Sequence, residues 1–154
     1  MSTYVLLAFL IGVIAGLRSL TAPAAVSWAA SLGWIHLENT PLAFMGYSAT
    51  PYIFSVLAVL ELIADQLPKT PSRKSAPGFI ARIVTGALCG ASLGATGQSL
   101  AAGLVAGVAG AIAGTLAGYE GRVRLAQIAG KDLPIALLED AIAIGGAFLL
   151  VSRM

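Results

Sequence analysis

Charged residues are scarce in this sequence. Nine Lys and Arg with seven Asp and Glu make up 10 % of its 154 residues, where an ordinary soluble domain has about a quarter. A water-soluble chain of this size needs more polar residues to cover its surface, so a soluble domain is excluded. The net charge of +2 is too small to imply a nucleic-acid partner. Cysteine is nearly absent as well. Cys89 is the only one, which rules out an intrachain disulfide. Its place in a Gly/Ala-rich apolar run reads as a small buried hydrophobe. The single histidine, His36, stands near Glu38 in a loop and reads as solvated rather than as a ligand. There is no HExxH helix, no Cys–His pair and no Ser–His–Asp set. No segment alternates as a strand, so the Gly-rich stretches make neither a P-loop nor a dinucleotide fingerprint. Catalysis has little to stand on, and no cofactor is expected.

What the chain has in quantity is apolar sequence: 58 % hydrophobic residues and a mean hydropathy of +0.89. A bilayer-spanning helix needs about 20 mostly apolar residues. Five segments qualify or nearly qualify: Tyr4 to Leu32, Pro51 to Leu67, Pro77 to Ala95, Ser99 to Ile128, and Pro134 to Val151. Pro51, Pro77 and Pro134 suit a first helical turn, where the missing N–H costs nothing. Pro68 and Pro71 end the second segment and hold the following loop open. Met1-Ser2-Thr3-Tyr4 lacks the basic start of a signal peptide, so the first segment reads as a retained helix. The expected fold is all-α, a single transmembrane domain of about five helices.

The first and fourth segments are too long for a straight span. Each carries breaker chemistry, Gly16-Leu17-Arg18-Ser19-Leu20-Thr21-Ala22-Pro23 in one and Gly118-Tyr119-Glu120-Gly121-Arg122 in the other. A kink or break is expected at both, and at membrane depth such breaks are tolerated only where they line a protein-enclosed cavity. Lys69, Arg73 and Lys74 follow the second helix, and Arg122, Arg124 and Lys131 surround the junction of the fourth and fifth. Five helices put both junctions on the side of the N-terminus, which the positive-inside rule makes cytoplasmic. Trp34 and Tyr47 of the outer loop suit the headgroup zone. A long broken helix followed by an acidic one occurs twice, with Ala15-Gly16 echoed by Ala117-Gly118. That order resembles the inverted repeats of transporters.

Gly86, Gly90 and Gly94 recur at a spacing of four, as do Gly103 and Gly107, and Gly110, Gly114 and Gly118. Each set makes a smooth helix face that admits a close neighbour. Packing within one chain accounts for them. A groove left unfilled by the chain's own hairpin would seat a second copy, so a homodimer is expected.

The charges that remain stand inside apolar segments, where ionised groups are expensive and tied to partners or function. Glu61 and Asp65 share one helix face as an acidic wall. Glu139 and Asp140 diverge by about 100° along their helix, so one of them faces that wall. Arg18 is the counter-charge at the helix break, and Arg82, Glu120, Arg122 and Arg124 approach from the cytoplasmic half. Arginine can hold a carboxylate through two bonds. Such pairs either lock helices together or line a polar cavity for an ion or small polar solute. Paired carboxylates beside a lipid phosphate could also bind Mg²⁺, which would make a metal-dependent lipid-modifying enzyme, though the usual Asp-rich motif is missing. The expectation taken forward is transport or conduction of a small ion or polar solute, with a structural scaffold as the main rival.

Four elements in order resemble a known family: Gly16-Leu17-Arg18-Ser19, Glu61-Leu62-Ile63-Ala64-Asp65-Gln66-Leu67-Pro68, Arg82 with Gly86-Ala87, and Leu138-Glu139-Asp140. Together they resemble domain-of-unknown-function family 4126, small bacterial membrane proteins, over nearly the whole chain. In that family the second element often carries Lys where Gln66 stands here. The resemblance implies a membrane bundle with recurring charged positions and implies no activity.

Overall fold

The structure is a computed structural model that describes residues 3–38, 40–64, 76–97, 99–130 and 133–153. Among these residues it is all-α: α1 (Thr3–Leu17), α2 (Thr21–Ser31), α3 (Thr50–Ala64), α4 (Ala76–Thr96), α5 (Leu100–Ala129) and α6 (Leu133–Ser152), with a 3-10 turn at Ala43–Gly46 before α3. Pro23, Pro51, Pro77 and Pro134 all fall in the first turn of their helices, as the missing N–H of proline favours. Two helices end on a glycine with positive φ, Gly33 at 82° after α2 and Gly130 at 73° after α5. At Gly33 the bonds from Trp34 N to Ala29 O (2.8 Å) and from Gly33 N to Ala30 O (3.3 Å) close the helix in a Schellman arrangement.

α1, α4 and α5 pack as a tight triplet because glycine faces meet. A Cβ at Gly90 would lie 2.6 Å from the Cα of Gly107, and one at Gly94 2.6 Å from the Cα of Gly103. On the other side of α5, Gly110 and Gly114 lie against the backbone of Phe9 and Val13 in α1. Without side chains between them, helix backbones touch along their length and dispersion contacts accumulate. Both glycine surfaces are therefore filled by the chain itself. The homodimer expectation rested on an unfilled glycine groove, and that basis is removed.

The helix directions follow from the same contacts. Gly97 meets the ring of Tyr4, while Arg82 reaches Gly16, so α1 is antiparallel to α4. Trp28 bonds Ser55 and Ser19 bonds Glu61, so α3 is antiparallel to α2. Along α6, Asp140 meets Arg18, Gly146 meets Ile14 and Phe148 meets Trp34. α2 thus runs alongside α6 and opposite to α1. The first apolar segment is not one kinked span but a helical hairpin that turns at Arg18–Leu20 inside the bundle, nearer the end where α4 begins.

This arrangement corrects three expectations. The described residues hold six α-helices, not five, because the first segment folds back on itself. The start of α1 consequently lies at the end of the bundle opposite the last turn of α3, the first turn of α4 and the last turn of α5, not beside them. α5 is continuous through Gly118–Arg122, so the fourth segment has no break and the expected inverted repeat has only its first half. The physical reason is that this stretch contains glycine but no proline. Glycine costs a helix about 1 kcal/mol per residue, whereas proline removes a bond and clashes. Asp65, Pro68, Pro71, Lys69, Arg73, Lys74 and Lys131 lie outside the described residues.

Two helical stretches, Gly78–Thr96 and Leu100–Leu125, are long and apolar enough to cross a membrane. Large apolar side chains also face outward elsewhere: Tyr52, Ile53, Val56, Val59, Leu60 and Ile63 on α3, and Ile142, Phe148 and Leu149 on α6.

Candidate functional site

The site is built on the turn between α1 and α2. α1 ends with Arg18 N donating to Ile14 O at 2.8 Å, and the chain leaves helical geometry at Arg18. The last carbonyls of a helix lack intrahelical donors. That of Gly16 accepts from Arg82 Nε at 3.0 Å. Thr115 Oγ1 lies 3.3 Å from the same oxygen, but its shorter bond, 2.7 Å, goes to Ala111 O. A hydroxyl has one proton, so Arg82 is the main donor. A second bond, from Arg82 Nη1 to Gly78 O at 3.3 Å, anchors the guanidinium to its own helix.

Arg18 itself is fully buried and forms an ion pair with Asp140 of α6. Removing Arg18 would leave the charge of Asp140 uncompensated in a buried site. Ser19, the next residue, donates its hydroxyl to Glu61 Oε2 from α3. The other oxygen, Oε1, is buried and has no hydrogen-bond partner. Glu139 diverges from Asp140, as their adjacency requires, and faces Arg122 of α5, with Oε2 3.9 Å from Nη1. Beside this pair a cavity of about 150 Å³ opens between α5 and α6, lined by Leu17, Gly118, Gly121, Arg122, Leu138 and Glu139 among others. Gly118 and Gly121, read as breakers in the sequence, supply its open floor instead.

Six of the nine residues singled out by sequence therefore come together from four helices and the turn: Arg18, Glu61, Arg82, Arg122, Glu139 and Asp140. Glu120 and Arg124 do not. They form an i,i+4 pair at 3.8 Å on the outward face of α5, 58 % and 78 % exposed at the side chain, and an exposed pair of this kind contributes little. Asp65 lies outside the described residues. His36 pairs with Glu38 at 3.7 Å on the surface, both about three-quarters exposed. Among the described residues, no three His, Cys, Asp or Glu side chains gather to hold a metal.

Sequence reasoning missed Ser19 as a partner of Glu61 and Thr115 as a neighbour of Gly16. Ser19 stood inside the breaker string, and Thr115 is a lone hydroxyl in a Gly/Ala-rich helix. Either could have been singled out as a polar group in need of a partner. Trp28, whose Nε1 donates to Ser55 Oγ at 2.8 Å, was missed in the same way. It also packs edge-on to Tyr52 at 5.1 Å and so fixes α3 to α2.

Fold and site together define an all-α bundle with apolar outer faces and a ring of opposed charges around an internal turn. The family model described as Domain of unknown function (DUF4126) matches residues 5–152, and the chain belongs to that family. Comparison with curated proteins gave no match, and neither did comparison with solved structures.

Proposed function

We propose that the chain is a multi-pass integral membrane protein that carries or conducts a small ion or polar solute through the charged turn between α1 and α2. The observation behind this reading is the hairpin itself. Its helices are about 22 and 16 Å long at 1.5 Å per residue, short of the ~30 Å hydrocarbon core, and they turn inside the bundle on a buried arginine. Discontinuous helices whose ends meet polar groups at depth are a recurrent plan for solute sites in transporters. Such a turn is tolerated only where protein surrounds it. In this reading the basic junctions face the cytoplasm, and the N-terminus, at the other end of the bundle, faces outward. The membrane is taken to be a bacterial inner membrane.

Flux in proteoliposomes tests the proposal. The expected result is solute-dependent flux in the parent chain and its loss in Glu61→Gln while the fold survives. Absence of flux for every ion tried would count against it.

A second reading has one observation in its favour. Arg18 is matched by Asp140, Arg122 by Glu139, and the end of α1 by Arg82. A scaffold whose ion pairs only lock helices together needs nothing more. It predicts no flux and a loss of stability in Asp140→Asn, which breaks the pair with Arg18.

A further inference from the structure

The three inward-facing carboxylates of the turn are not equivalent. Asp140 and Glu139 each meet an arginine. Glu61 meets only the hydroxyl of Ser19, and its Oε1 is buried without a hydrogen-bond partner. Among the described residues no lysine, arginine or histidine pairs with it. The elements packed on α3 are α2 and the 3-10 turn before it, and neither carries a basic residue. The nearest cation in sequence, Arg18, is taken by Asp140. The described residues supply no positive charge to this carboxylate, which leaves its buried oxygen open to a proton or a cation from outside.

We propose that Glu61 binds an alkali metal cation, with Oε1 as the ligand and Ser19 as the group that orients the carboxylate. The proposal rests on the transport reading and deepens it by naming the solute class. Ser19 Oγ bonds Oε2 and leaves Oε1 without a hydrogen-bond partner; hydrogen bonds of this kind hold ligating carboxylates in place. The end of α1 lies in the same turn, and unwound carbonyls at helix C-termini are the oxygen donors that coordinate sodium in discontinuous transporter helices.

The test is thermal unfolding of the purified chain in detergent, in sodium, lithium, potassium or choline chloride at one ionic strength. A cation that binds only the folded protein raises the midpoint with its saturation. The midpoint is expected to rise with at least one alkali cation over choline and to lose that rise in Glu61→Gln. Ser19→Ala should need about 10-fold more of the ion for the same rise. Equal midpoints in all four salts would overturn the inference, and so would an ion-specific rise that survives Glu61→Gln. If Glu61→Gln does not fold, Ser19→Ala decides, and an unchanged ion dependence in it overturns the proposal. Cation binding without flux would remove the transport reading and leave this site standing. Flux of another solute with no cation dependence would do the reverse.

Discussion

At the scale of single residues, glycine and arginine carry the structure. Gly107 sits where α4 and α5 cross, in contact with Gly86 and Gly90 and with Gly12 of α1. Gly145 of α6 has nothing within 4 Å of a Cβ built upon it. Gly107→Ala should therefore cost about 1–3 kcal/mol through overpacking. Gly145→Ala should be neutral or gain up to ~1 kcal/mol of helix propensity. Unfolding midpoints of the two variants check both signs. The packing glycines were legible in the sequence because a spacing of four marks one helix face. The charges were legible because they are rare and stand inside apolar helical segments, where a charge needs a partner or a role. Which charges point inward was not legible along α5. Arg122 and Arg124 differ by two positions, about 200° of helix, and only the placement of α1 and α6 decides that the first turns in and the second out.

At the scale of elements, local sequence specified where helices stop but not how they turn. Gly16 to Pro23 foretold an interruption, and the structure has one there. The reversal of α2 is set by distant partners, the Trp28 contacts with α3 and the alignment of Asp140 and Phe148 along α6, so no local signal announced it. Conversely, Gly118 and Gly121 resembled a break and proved to be the floor of a groove, because glycine alone weakens a helix without ending it. The hairpin makes a topological prediction. With Cys89→Ser as background, Thr3→Cys and Gln127→Cys should lie on opposite sides of the membrane. An impermeant thiol reagent should label Thr3→Cys in intact cells and Gln127→Cys only after permeabilisation. Labelling of both from one side would refute the hairpin.

At the scale of the whole molecule, the chain concentrates its buried charge in one layer where the turn, α3, α4, α5 and α6 converge, and leaves its outer faces apolar. Composition alone made the apolar exterior legible. The convergence was not, because it depends on α1 and α2 folding back between the other helices. The central question is whether that charged layer exists for solute or for stability. Replacing a buried ion pair by apolar residues of similar size is often neutral or stabilising, whereas removing one partner costs about 3–5 kcal/mol. The double variant Arg18→Met with Asp140→Leu therefore separates the two roles. The decisive measurement is ion flux through this variant in proteoliposomes beside the parent chain, with its unfolding midpoint taken in parallel. The expected result is a folded protein, as stable as the parent or more so, that conducts nothing. Full flux through the apolar variant would contradict it.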